Sequence, residues 1–195
     1  MTITTRYPRT TEIKNGRVTL DIMAPAAEDE ILAFARALPP HDLLFLPRDI
    51  TQQKVLAAWI RQIESGEITS LIARDEADQI LGCSAVITDD RSWSPHLGEL
   101  RVLVAPGGKD RGLGRQLIQE SFLIALDLGL EKLVAQMTAD QTSALNVFQE
   151  MGFNAEALLK DHVLDREGGK HDIVILSQDV AGFHSQREAY GMSDL

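Results

Sequence analysis

Residues 99–118, ELRVLVAPGGKDRGLGRQLI, and residues 138–153, TADQTSALNVFQEMGF, bracket the stretch that decides the fold. Alternation from Leu97 to Val104 predicts a strand with Glu99, Arg101 and Leu103 on one face and Leu100, Val102 and Val104 on the other. A bend follows in which Gly107, Gly108, Gly112 and Gly114 stand among Lys109, Arg111 and Arg115. Glycines let main-chain N–H groups converge, and the N-terminus of the next helix adds positive potential. The bend therefore reads as an anion cradle suited to phosphate. The helix it opens is expected to bury Leu117, Ile118, Ser121, Ile124, Ala125 and Leu128, and Gly129 suits its C-terminus. Lys132 to Met137 predicts the next strand, parallel to the first because a helix separates them. Thr138 and Gln141 offer a capping box to a second helix, which Gly152 ends.

Counting excludes two familiar phosphate loops. A Walker loop ending at Gly108-Lys109 needs glycine at Leu103 and a hydroxyl at Asp110; a dinucleotide fingerprint from Gly112 needs glycine at Leu117. What fits is K-x-x-G-x-G, Lys109 to Gly114. It resembles the R/Q-x-x-G-x-G/A pyrophosphate motif of the GNAT superfamily of N-acetyltransferases. VFQEMGF, residues 147–153, resembles that family's second motif, usually L-Y-x-K-x-G-F. The two occur in order, joined by a helix and a strand.

The rest of the chain agrees in pattern. Residues 1–16 read as a polar, flexible arm that hangs loose or covers an edge. Val18 to Ile22 predicts a first strand, and Pro25 opens a helix that Pro39-Pro40 stops. A long connection to Thr51 follows, of the kind that is often functional. Thr51 caps a second amphipathic helix carrying Val55, Leu56, Trp59, Ile60 and Ile63. Residues 68–74 and 79–88 predict a hairpin, and residues 154–165 and 170–177 a closing one; residues 180–195 read as a polar tail. With one domain over residues 17–179, the order β-αα-βββ-α-β-α-ββ is the GNAT order. The resemblance implies a mixed α/β fold: one twisted sheet of six to seven strands, helices on both faces, and a splayed pair of central parallel strands.

A net charge of −10 argues against nucleic acid and anionic membrane as partners. The single cysteine, Cys83, lies in the apolar run ILGCSAVI and reads as a buried, inert thiol. It excludes an internal disulfide, and with no export or membrane segment visible a cytoplasmic location is the expectation. His41, His162, His171 and His184 show no ligand spacing, so no metal is expected. A homodimer is left open.

The resemblance implies acetyl-CoA as cosubstrate. The backbone of Val102, Leu103 and Val104 would pair with the pantetheine arm. The N–H groups of Lys109, Asp110, Arg111, Gly112, Leu113, Gly114 and Arg115 would hold the pyrophosphate. Gln141 stands where the family's asparagine would bond the coenzyme, and Phe148 where many members place a tyrosine that protonates the thiolate. Phe148 is expected to pack beside the sulfur; a thiol pKa near ~8.5 makes thiolate a fair leaving group without an acid. An amine acceptor must first be neutral. For a lysine of pKa ~10.4, deprotonation at pH 7 costs about 4.6 kcal/mol, against about 1.4 kcal/mol for an α-amine near ~8. Glu99, on the central strand, is the first candidate base, with an ion pair to Arg101 as its alternative role; His96 is the second. The implied activity is acetyl transfer to a primary amine, a small molecule or amino-acid derivative, in a ternary complex. A protein lysine or N-terminus as acceptor, or a non-catalytic acyl-CoA sensor, are the alternatives.

Overall fold

The computed structural model describes residues 3–182; Tyr190, His184 and the remainder of the expected tail from residue 183 lie outside them. In chain order the elements are α1 (Ile3–Arg6), β1 (Arg9–Ile13), β2 (Gly16–Ile22), α2 (Glu28–Ala37), α3 (Gln53–Glu64), β3 (Ile68–Arg74), β4 (Ile80–Ile87), β5 (Leu97–Val104), α4 (Leu113–Asp127), β6 (Lys132–Thr138), α5 (Thr142–Glu150), β7 (Asn154–Leu164) and β8 (Lys170–Asp179). Short 3-10 turns at Pro25–Ala27, Pro40–Leu43 and Pro106–Gly108 join them.

All eight strands form one sheet in the order β1-β2-β3-β4-β5-β6-β8-β7. Of the neighbouring strands only β5 and β6 are parallel, joined by the crossover helix α4 that a parallel pair needs. The alternation of β5 serves two cores. Leu100 and the α4 residues Leu117, Ile118 and Ile124 share one with Phe148 and Phe153. Leu103 and Cys83 share the other, on the opposite face, with Ile31 and Phe34 of α2 and Leu56 and Ile60 of α3. Burial pushes the Cys83 thiol up to about 12, the direction expected of an inert side chain.

The sheet has one strand more than the sequence implies. Arg9–Ile13, read as part of a flexible arm, pairs antiparallel with β2 from Arg9↔Leu20 to Ile13↔Gly16. Its residues are mostly exposed, so no apolar alternation marks it. What holds it is tertiary: the Tyr7 hydroxyl donates to Glu120 at 2.8 Å and Arg9 Nη1 donates to the same carboxylate at 2.6 Å. Glu120 is buried in α4, and burial beside it raises the Tyr7 pKa. Tyr7→Phe is expected to lower stability by about 2 kcal/mol, the loss of a hydrogen bond to a buried charge; urea unfolding measures it, and a change below about 0.5 kcal/mol would show that the hydroxyl does not anchor the strand.

Three local expectations are corrected. Leu128 is the C-cap of α4, one residue past its end, and is 40% exposed. Thr138 completes β6 instead of capping α5, and Gln141, at the N-cap, makes no side-chain capping bond. Gln52 occupies the N-cap of α3. Thr51 donates from its hydroxyl to Asp49 instead. The tail also begins later than expected: Val180 is fully buried, and its N–H donates to the Glu131 carbonyl. No helix among the described residues is long and apolar enough to cross a membrane.

Candidate active site

The two parallel strands part company early. β5 and β6 pair at Leu97↔Lys132, Gly98↔Leu133 and Glu99↔Val134, and no further. Beyond Glu99, β5 stays paired with β4 on its other side up to Gly82↔Val104, while β6 stays paired with β8 up to Thr138↔Ile173. Residues 100–104 thus present one unpaired backbone edge to a widening gap, and Glu99 stands at its apex. An unpaired strand edge can accept an extended ligand as an added strand.

The glycine bend lies at the open end of this gap. Gly112 is the N-cap of α4 at φ +82°, and Asp110 is also left-handed at φ +57°. A Cβ on Gly112 would meet nothing within 4 Å, and one on Gly114 would meet only Val104 Cγ2, at 3.9 Å. The first backbone donor of the helix is Gln116, to the Gly112 carbonyl at 3.1 Å. The N–H groups of residues 110–115 donate to no protein group among the described residues. Six free donors at the N-terminus of a fifteen-residue helix form an electropositive concavity. Gly108 has a different task, since a Cβ there would lie 2.9 Å from Leu113 Cδ2 and 3.1 Å from the Leu81 carbonyl.

The basic side chains of the bend face protein partners. Lys109 Nζ donates to Asp42 at 2.6 Å. Arg111 donates to the carbonyls of Lys14, Asn15 and Gly107, tying the bend to the β1–β2 turn. Arg115 pairs with Glu150 of α5. The free donors that the bend presents are therefore its main-chain N–H groups. Phe148 of α5 is buried edge-to-face against Phe153, with centroids 5.0 Å apart. Gln141 lies half-buried at the other lip of the gap, at the N-terminus of α5.

Glu99 and Arg101 project from β5 on the α2/α3 side of the sheet, where Arg101 Nε donates to Glu99 Oε1 at 2.7 Å. Arg101 lines a cavity of about 650 Å³ between this face, α3 and the loop before it. Trp59, Arg48, Arg61 and Glu67 also line it. Arg48 and Arg61 have no ion-pair partner among the described residues, whereas Glu67 already pairs with Arg91. A protein of net charge −10 thus presents a locally cationic cavity. His96 is not brought to it: it is exposed at the closed end of the strand pair, three residues before Glu99, next to a fully exposed Trp93.

One grouping escaped the sequence. His41, Asp140 and His171 converge at the open end of the gap although their spacing along the chain gave no hint of ligands. His41 Nε2 lies 3.1 Å from Asp140 Oδ1, and His171 Nδ1 lies 3.7 Å from Asp140 Oδ2. A hydrogen bond from the Thr138 hydroxyl, then His41, holds the Asp140 carboxyl below its usual range, while the bond to Asp165 raises His171. The 3-10 turn Pro40–Leu43 therefore bridges both lips, through Asp42 to Lys109 and through His41 to Asp140.

The family model described as "Acetyltransferase (GNAT) family" matches residues 28–153. The Bacillus subtilis (strain 168) protein named "Putative phosphinothricin acetyltransferase YwnH" is 28% identical over 83 residues, 43% of this chain and 50% of that protein, so the chain spans half the length of this curated relative. An acetyltransferase of the GNAT family from Streptococcus pneumoniae superposes with a TM-score of 0.71 at 20% identity, covering 83% of this chain and 99% of that one. A GNAT-superfamily phosphinothricin acetyltransferase from Sinorhizobium meliloti, solved in complex with AcCoA, superposes with a TM-score of 0.72 at 16% identity over 83% of this chain and 88% of that one. The two superpositions show the fold alone. With the family match spanning more than half of the sequence, and with the parted strands and glycine bend inside it, the chain belongs to the acetyltransferase (GNAT) family.

Proposed function

We propose that this protein transfers the acetyl group of acetyl-CoA to the primary amine of a small anionic molecule, such as an amino-acid derivative, and that one domain carries the whole reaction. The observation that carries the reading is the gap between β5 and β6 beyond Glu99, which ends at six free N–H groups. The N–H groups of residues 110–115 would hold the pyrophosphate. The free backbone edge of Val102, Leu103 and Val104 would bind the pantetheine arm as an added strand. The bend has room for such a group, since a Cβ added at Gly112 would meet nothing within 4 Å. When bound, acetyl-CoA supplies an activated acyl group and a thiolate of modest basicity.

The chain's own residues do the rest. Glu99 lies at the apex of the gap, held by Arg101 through Oε1, and Oε2 has no partner among the described residues. That oxygen accepts a proton from the incoming ammonium group, directly or through one water. Phe148 keeps the α5 side of the coenzyme site apolar and donates nothing.

The acceptor class follows from the cavity beside Arg101. Its volume suits a small molecule, and Arg48, Arg61 and Arg101 favour an acceptor bearing a carboxylate or phosphinate next to its amine. The same cations oppose a polyamine or a lysine in a basic patch. Three of the similar proteins carry phosphinothricin in their names. An amine panel assayed with acetyl-CoA tests the assignment. Anionic amines such as phosphinothricin are expected to turn over, and their KM to rise about tenfold or more in Arg48→Glu or Arg61→Glu, equivalent to about 1.4 kcal/mol. Coenzyme affinity should not change. Faster turnover of spermidine or a lysine peptide would reject the anionic acceptor. Coenzyme binding without turnover on any amine would make the protein an acyl-CoA sensor.

A further inference from the structure

Three segments far apart in sequence, two turns and the start of a strand, place nitrogen and oxygen donors around one point. His41 comes from the Pro40–Leu43 turn, Asp140 from the bend between β6 and α5, and His171 from the start of β8. Their ligand atoms all lie within 4.8 Å of one another. A tetrahedral ion with ligands at about 2.0–2.1 Å sets its donors ~3.4 Å apart. The imidazole nitrogens stand near that distance from the Asp140 carboxylate, 3.1 Å from Oδ1 for His41 and 3.7 Å from Oδ2 for His171.

The orientation of His171 adds a second, independent observation. Its Nε2 lies 2.8 Å from Asp165 Oδ2. Asp165 is itself fixed, because its Oδ1 accepts the N–H groups of Glu167 and Gly169 at 2.9 and 2.8 Å. A neutral imidazole that donates Nε2–H to Asp165 turns its Nδ1 lone pair toward the Asp140 carboxylate. Two acceptors then face each other unless a proton or a metal ion sits between them. A carboxylate holding the far nitrogen of an imidazole in the ligating tautomer is the usual support of a metal-bound histidine.

We infer that His41, Asp140 and His171 bind one divalent transition-metal ion of the zinc type, with Asp165 as the positioning residue for His171. Two imidazoles and one carboxylate suit Zn²⁺, Co²⁺ or Ni²⁺ rather than Mg²⁺ or Ca²⁺, which prefer oxygen donors alone. The side chains of His41 and Asp140 are 40% and 56% exposed, so the ion can reach the site from solvent and a fourth position stays open to water. The bound ion joins the Pro40–Leu43 turn to the β6–α5 bend, and the Asp42–Lys109 pair continues that tie to the glycine bend. The inference stands apart from the acetyl-transfer reading, since it rests on donor geometry alone.

The test uses the untagged full chain, stripped with chelator and titrated with Co²⁺ by visible absorption and with Zn²⁺ by calorimetry. One ion per chain is expected, with the intense visible bands of four-coordinate cobalt. Asp165→Asn, which removes no ligand, is expected to weaken binding 10- to 100-fold. His41→Ala and His171→Ala should each remove the cobalt bands, with circular dichroism verifying that every variant is folded. If His171→Ala fails to fold, His41→Ala, on a surface turn, decides. No saturable binding of either ion, six-coordinate cobalt bands only, or binding that survives the histidine substitutions would overturn the site and leave Asp140 in ordinary ion pairs with its two histidines.

Discussion

Gly112→Asp is expected to lower affinity for coenzyme A by ~100-fold or more while leaving the protein folded. A carboxylate at this position stands in the open space in front of the free N–H groups, where a diphosphate would sit. Two unit charges ~4 Å apart at an effective dielectric of ~20 repel by about 4 kcal/mol. Solvent screening reduces that figure, and ~3 kcal/mol already corresponds to roughly a hundredfold. The backbone adds a smaller cost, because a non-glycine residue at φ +82° is disfavoured by about 1–2 kcal/mol. Gly112→Ala separates the two terms: it pays the backbone cost without the charge, in a place where its methyl group touches nothing. Calorimetric titration with coenzyme A should rank wild type, then Ala, then Asp, and thermal melting should show all three folded. Equal affinity in the aspartate variant would mean that the bend does not hold the diphosphate.

Glu99→Gln is expected to reduce kcat/KM by about 10²- to 10⁴-fold at neutral pH, the range of a lost general base. The amide retains an oxygen for Arg101, so the pair at 2.7 Å keeps a substitute and the strand should not move. Coenzyme affinity should stay within a factor of about two, because the carboxylate is at the apex of the gap and the cradle is at its mouth. The deficit should shrink as pH rises, since a deprotonated amine needs no base; for an α-amine near ~8 most of it should be recovered around pH 9. A variant within about threefold of wild type across the range would remove Glu99 from the proton path and leave it as the partner of Arg101. His96→Ala should be near neutral in the same assay, as the histidine is exposed at the closed end of the strand pair.

Much of the molecule was legible in its sequence. The strand Leu97–Val104, the bend from Gly107 to Gly114 and the helix after it are announced by local patterns: alternation, glycine where positive φ is needed, and apolar residues at helical spacing. The expected parallel pairing of β5 and β6 across the helix α4 is found. Strands β2 and β3, also separated by helices, pair antiparallel, so element order alone does not set strand direction. The edge strand Arg9–Ile13 was not legible. Its residues are polar and exposed, and its stability comes from the β2 ladder and a glutamate 111 residues beyond Arg9.

The sequence by itself determined the family fold, the position of the bend and the identity of Glu99 as an acid on the central strand. Only the tertiary structure decided where the charges go. It paired Lys109 and Arg115 with carboxylates, bonded Arg111 to backbone carbonyls, and left the N–H groups of the bend as its free donors. It gathered Arg48, Arg61 and Arg101 around one cavity in an acidic protein, and it brought His41, 99 residues away in sequence, to Asp140. Backbone conformation and burial period are set by neighbours a few residues apart, and so can be read along the chain. The partner of a long charged side chain is set by which surfaces the packed sheet and helices bring within about 4 Å, and no local pattern records that.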